Sequence, residues 1–203
     1  VIGKLSGGFV VQLNDGDHLE SQVLFPMNPA SAIAIADVNG DGHLDLLLAA
    51  ANAALDFIEI VPGDGTGSFS AAPIQIKGNP FGDIRSMDLA DLDHDGDLDL
   101  AVVDSDSWRL LMNDGRGNFL DVTVPSTDAS PNRFWLAAFM DLEHDSWSDL
   151  FFSADLQQFG LPHLFQNQQG TLVSIPAFST VNAMGGSLLD YDNDGNEIGR
   201  AHV

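Results

Sequence analysis

Residues Asp91 to Leu100 read DLDHDGDLDL. Oxygen-bearing side chains stand at positions 1, 3, 5 and 9 of this stretch, glycine stands at position 6, and an apolar run comes next. The arrangement recurs as DVNGDGHLD from Asp37, DLEHDSWSD from Asp141 and DYDNDGN from Asp190. A loop that returns with its spacing intact marks a structural unit, and the interval between copies measures that unit.

So many oxygens on one short loop suit a hard divalent cation, which takes six to eight oxygen ligands at about 2.3 to 2.6 Å; calcium is the cation expected. In the second loop Asp91, Asp93 and Asp95 would turn carboxylates inward, the backbone carbonyl of Asp97 would add a ligand, and Asp99 would close the shell. Gly42 and Gly96 at position 6 fit a sharp turn, because positive φ costs glycine little.

An EF-hand begins the same way but needs a glutamate at position 12 and a helix on each side. Position 12 here is Leu48, Val102 and Phe152, so that reading fails. Half of a dockerin repeat also starts like DVNGDGHLD but continues with another acidic residue and a helix. These loops run instead into Leu46 to Ala50, Leu100 to Val103 and Leu150 to Phe152, short apolar runs of strand length.

A second element lies between the loops: VVQLNDGDHL around Asn14, EIVPGDGTGSF around Gly63, LLMNDGRGNF around Asn113 and LFQNQQGTL around Asn167. An apolar strand, a glycine turn and a further apolar residue form a hairpin signal. Spacings are 54, 50 and 49 residues between loops and 49, 50 and 54 between turns. Units of that length with several strands and no helical pattern predict blades of a β-propeller. Within one unit four strands are expected, near Arg85 to Leu89, Leu98 to Asp104, Trp108 to Asn113 and Phe119 to Val124.

The fold class expected is therefore all-β, a propeller of four-stranded blades. Full blades are expected at 25–74, 75–124 and 125–177, with partial blades at 1–24 and 178–196. Val1 in place of methionine and the partial end units predict a gene fragment holding about four blades. The closing EIGRAHV, Glu197 to Val203, breaks the repeat in mid-motif. A nucleotide string resembling a short-read sequencing adapter can encode it, so this tail is expected to be foreign to the gene.

The pairing of a DxDxDGxxDL loop with an NDGxGxF turn at this period resembles the FG-GAP or VCBS repeat, the blade unit of integrin alpha-type β-propellers. The resemblance implies a calcium-stabilised propeller of seven blades in an extracellular or cell-surface protein that binds other macromolecules, protein or carbohydrate. Carried over by motif, it implies ligands at Asp37, Asn39, Asp41, Asp45 and the carbonyl of His43 in the first loop. The third loop would use Asp141, Glu143, Asp145, Asp149 and the carbonyl of Trp147, and the fourth Asp190, Asp192 and Asp194. Those two depart from the pattern: Glu143 is one methylene longer than Asp, Ser146 replaces glycine, and after Gly195 no ninth-position Asp is present.

Seven basic against thirty acidic residues give a net charge of −23, and fifteen of the acids fall within the four loops. Phosphate binding needs basic patches, so nucleic acid is not an expected partner, and anionic membranes are disfavoured. No transmembrane run is visible, and the absence of cysteine fits an exported protein without disulfides. Extracellular calcium modules are tuned to about 10⁻⁴ to 10⁻³ M, which favours secretion.

Catalytic patterns are thin, and no enzyme is expected: there is no HExxH, GxSxG or cysteine nucleophile. The rival reading is the non-catalytic part of a secreted propeller enzyme such as a polysaccharide lyase, with its active site on other sequence. His94 and His144 at loop position 4 are expected to be solvated, and Phe69 and Phe119 to pack between blades. One of Trp108, Trp135 and Trp147 is a candidate for a carbohydrate or peptide surface, as are the segments NPFGD from Asn79 and SPNRF from Ser130.

Overall fold

The computed structural model describes residues 2–5, 8–14, 19–24, 30–50, 57–69, 72–76, 81–105, 107–123, 134–154, 163–175, 186–189 and 198–201. All regular structure among them is β, and no described helix is long and apolar enough to cross a membrane. Strands β1 (Ile2–Leu5), β2 (Gly8–Asn14) and β3 (Leu19–Leu24) form a three-stranded sheet. Next come three four-stranded antiparallel meanders. The first is β4 (Ala30–Ala36), β5 (Asp45–Ala50), β6 (Ile58–Val61) and β7 (Ile74–Ile76); the second is β8 (Ser86–Ala90), β9 (Asp99–Val103), β10 (Trp108–Asn113) and β11 (Phe119–Asp121). The third is β12 (Phe134–Met140), β13 (Asp149–Ala154), β14 (His163–Asn167) and β15 (Leu172–Ile175), and a pair, β16 (Gly186–Leu189) with β17 (Ile198–Ala201), closes the series.

The continuous apolar run of each second strand has a direct cause. Alternate residues of a strand face opposite sides of the sheet, and β9 is covered on both. Leu100 and Val102 pack into the core shared with the first meander, whereas Ala101 and Val103 pack into the core shared with the third. All five residues of β9 are buried. Truncating Leu100, which has no exposed surface, to Ala would cost about 2 to 5 kcal/mol.

Meanders meet along their first strands, β4 against β8 and β8 against β12. Every residue of β8 is half-buried, as expected for strands that converge without being enclosed. The fourth strands are short outer edges carrying exposed Ile74, Leu120 and Val173. Short edge strands limit unwanted strand addition. Phe119 packs against the core shared by the first two meanders, as expected, and Phe69 is buried. Trp108 lies in the second core, stacked on Phe152 with centroids 4.7 Å apart, and so takes no part in a surface.

An antiparallel meander puts its first and third connections at one end and its second at the other. The acidic loops join first to second strands and the glycine turns join third to fourth, so both repeated elements share one end. The second strands end, and the first and third strands begin, at the opposite end.

Candidate metal loops

Each of the first three acidic loops hangs on the aspartate at position 9, which is the first residue of a second strand. Asp45, Asp99 and Asp149 lie opposite Ala36, Ala90 and Met140 in the ladder and are all buried. One carboxylate oxygen accepts the position-2 N–H: Val38 to Asp45 at 3.1 Å, Leu92 to Asp99 at 3.0 Å, Leu142 to Asp149 at 2.9 Å. The other accepts the N–H that opens the glycine turn: Gly63 at 3.1 Å, Asn113 at 2.9 Å, Asn167 at 2.8 Å. One buried carboxylate thus fastens a loop to its own sheet's hairpin.

Position 1 organises the loop itself. Asp37, Asp91 and Asp141 each accept the N–H of position 6, from Gly42 at 2.8 Å, Gly96 at 3.1 Å and Ser146 at 2.8 Å. Position 5 accepts from position 7, as Asp41 from His43, Asp95 from Asp97 and Asp145 from Trp147, each at 2.9 Å. The bend at position 6 needs positive φ, with Gly42 at 84°, Gly96 at 98° and Ser146 at 72°. Ser146 keeps the turn that glycine was expected to require and carries the strain of an L-residue there. Position 4 is left-handed as well, with Gly40 at 71°, His94 at 60° and His144 at 57°.

The side chain at position 7 has a role the sequence reading missed. His43, Asp97 and Trp147 lie over the turn glycines Gly65, Gly115 and Gly170 of their own sheets. A Cβ at Gly65 or Gly115 would collide with His43 or Asp97, so the glycines make room for the loop as well as turning the chain. In the third turn Gln169 and Gly170 both have positive φ between paired Gln168 and Thr171, a two-residue hairpin of the type that matches strand twist.

Contacts between sheets also gather at this end. Asn113 donates through its side-chain amide to Val38 O at 2.9 Å, a loop residue of the preceding meander, and Asn167 repeats the bond to Leu92 O at 2.8 Å. At the matching position of the first meander stands Gly63, where a Cβ would strike Leu44 O. His94 stacks on Trp147 with centroids 3.8 Å apart and bonds Ser146 O through Nε2 at 2.9 Å. His94 is exposed as expected, yet it leans on the next loop rather than standing in solvent. The signal for the asparagine bracket was visible: Asn recurs at the start of the turn motif.

In the second loop, ligand-capable oxygens of Asp91, Asp93 and Asp99 all lie within 4.8 Å of one another, and Asp91 Oδ1 is buried without a hydrogen-bond partner. A buried carboxylate oxygen without a donor is costly unless a cation or proton meets it. Burial is also the main reason the Asp99 carboxyl is pushed up to about 6; Asp93 and Asp95 push it the same way, while the two N–H bonds oppose. Burial raises Asp45 too, with smaller pushes from Asp41 and Asp37, and burial followed by Asp95, Asp91, Asp114 and Asp93 raises Asp97. The donor set fits a hard cation. Asp95 and Asp97 lie outside the trio.

In the first loop Asn39 holds position 3, donating to Asp45 Oδ1 at 3.4 Å. In the third, Glu143 accepts from Gln166 Nε2 at 2.8 Å. Its carboxyl is raised, by burial first and then by its neighbours Asp149 and Asp145. Asp190, Asp192 and Asp194 lie outside the described residues.

The FG-GAP-like repeat model matches residues 37–102 and 91–152, each match running from one acidic loop to the strand after the next. The chain belongs to the FG-GAP-like repeat family. No curated protein matches it. Among solved structures the chain is similar to an Agrocybe aegerita lectin described as specifically recognising non-reducing terminal N-acetylglucosamine, at 18% identity and a TM-score of 0.63. That likeness covers 95% of this chain and 55% of the lectin, so the chain spans about half the lectin's length. It is also similar to the Photorhabdus luminescens Tc holotoxin pore at 18% identity and a TM-score of 0.48, over 85% of this chain and 8% of that one. Family and fold neighbour agree with the β-propeller architecture read from the repeat.

Proposed function

We propose that the chain is a calcium-stapled, carbohydrate-binding part of a seven-bladed β-propeller in an extracellular or cell-surface protein. The observation that carries the metal half is the convergence of Asp91, Asp93 and Asp99, with Asp91 Oδ1 buried and unpartnered. Calcium would be held there, and by Asp37, Asn39, Asp41 and Asp45 and by Asp141, Glu143, Asp145 and Asp149 in the flanking loops. Its chemistry is charge neutralisation: it would offset repulsion among carboxylates that the fold brings together. The residues do the rest, Asp45, Asp99 and Asp149 fixing loop to hairpin and Asn113 and Asn167 fixing sheet to sheet.

Support for a sugar ligand comes from the fold neighbour, which is a lectin. The division of the molecule supports it too: one end is spent on repeated metal loops, and the described residues at the other differ from meander to meander. No chemistry beyond binding is assigned. The test is a glycan array probed in calcium and in EGTA. Calcium-dependent binding to a defined glycan class is expected; binding to no glycan would remove the carbohydrate assignment.

A further inference from the structure

The first strands hold a second repeated position, at the end of the molecule away from the metal loops. In β4 and β12 the pairing slips by one residue at Ser31 and Trp135: Ala30 faces Ala50 and Ala32 faces Ala49, while Phe134 faces Ala154 and Leu136 faces Ser153. Arg85 stands at the same place in the second meander, bonding Val103 O through its N–H although Ser86 is the residue opposite Val103. A bulge re-aims the extra side chain out of the ladder. Ser31, Arg85 and Trp135 therefore emerge at equivalent points of the three converging strands, six residues before Asp37, Asp91 and Asp141.

What emerges changes from sheet to sheet, although the frame does not. The metal loops repeat aspartate at positions 1 and 9, whereas this position holds serine, arginine and tryptophan in turn. Arg85 lies over the Trp135 ring at 4.2 Å and donates one bond to Phe134 O at 2.9 Å. No ion pair to Arg85 is found among the described residues. Trp135 Nε1 is buried and has no acceptor. The pair thus gathers a guanidinium fork and an indole N–H, donors only, at the end away from the acidic loops.

We propose that Arg85 and Trp135 form a binding site for the carboxylate of an acidic sugar, a uronic or sialic acid residue. The inference rests on the carbohydrate-binding reading and adds the residues and the chemical class. A planar guanidinium matches a carboxylate in bidentate fashion. Trp135 backs the guanidinium with its ring face and would offer Nε1–H to a ring or carboxylate oxygen, which would satisfy the buried donor. A neutral sugar offers only weaker hydroxyl acceptors.

The experiment titrates the full chain in calcium with methyl glucuronide, methyl galacturonide and methyl sialoside, each against its uncharged counterpart, and reads binding by ligand-observed NMR. At least one acid should bind tenfold or more tightly than its neutral partner. Trp135→Phe, which removes the indole N–H and shrinks the ring beneath the guanidinium, and Arg85→Lys, which keeps charge and stem but loses the fork, should each weaken that binding about tenfold with Tm unchanged. Equal binding by both variants overturns the site while leaving carbohydrate binding intact. Preference for neutral sugars, here or on the array, overturns the carboxylate. No sugar bound in either assay overturns this inference together with the reading beneath it.

Discussion

The second and third acidic loops share one frame and present different ligands on it. Both hang a buried position-9 aspartate from two backbone N–H groups, and both close position 1 onto position 6. Yet the second offers Asp93 and a glycine at the bend, and the third offers Glu143, held by Gln166, and a strained Ser146. The difference separates two functions that a motif runs together. Positions 1 and 9 build the loop and are aspartate in both; position 3 and the bend at position 6 are where the two part.

Removing the frame should therefore hurt both loops alike. Asp99→Ala and Asp149→Ala each leave two backbone donors without an acceptor, at a cost of about 3 kcal/mol even in EGTA, read by urea unfolding. A much smaller loss at Asp149 would break the claim of a common frame.

The effect of pH sharpens the contrast between proton and cation. Asp99 has a folded value of about 6 against an ordinary 3.8, so its contribution to metal-free stability is full below about pH 4 and is lost as pH rises through about 6. Asp45, Asp97 and Asp88, all raised mainly by burial, act in the same sense. Asp64 and Asp114, lowered by hydrogen bonds within their turns, oppose this only below about pH 4. Tm in EGTA should fall between about pH 4 and 6. Calcium should flatten that slope, because it takes the place of the proton. A Tm in EGTA that rises across this range would contradict the raised value.

Three smaller changes address the bend of each loop and the contact between the two. Ser146→Gly relieves a left-handed φ and should stabilise by about 1 kcal/mol, with Gly96→Ser costing a similar amount in the second loop. His94→Ala removes the stack on Trp147 and should cost about 0.5 to 1 kcal/mol. A larger loss would mean that the two loops stand or fall together.

Much of the fold was legible because the repeat is local and its period is long enough to count. The strands expected near Arg85 to Leu89 and Leu98 to Asp104 appear as Ser86–Ala90 and Asp99–Val103, shifted by about a residue, and Trp108–Asn113 is as expected. The loop ligands could be numbered for the same reason, and the structure gathers Asp91, Asp93 and Asp99. Whatever depends on one unit meeting the next stayed hidden. The bonds from Asn113 and Asn167 span 75 residues and the one from His94 spans 52, beyond any local pattern. Trp135 was one aromatic among three until the register placed it beside Arg85. In the segments marked as binding candidates, Phe81 proves to be core, with Arg109 over its ring at 4.6 Å, while residues 79–80 and 130–133 lie outside the described residues.

The most direct test of cation-stapled loops is thermal unfolding in EGTA, in about 2 mM calcium and in magnesium, for the native chain and for Asp93→Ala. With a dissociation constant of about 10⁻⁴ M, each site adds roughly RT ln 21, or ~1.8 kcal/mol. The account predicts a calcium-specific rise in Tm of several degrees, with Asp93→Ala losing one site's share and unfolding unchanged in EGTA. No calcium-specific rise, or the full rise in Asp93→Ala, would contradict it.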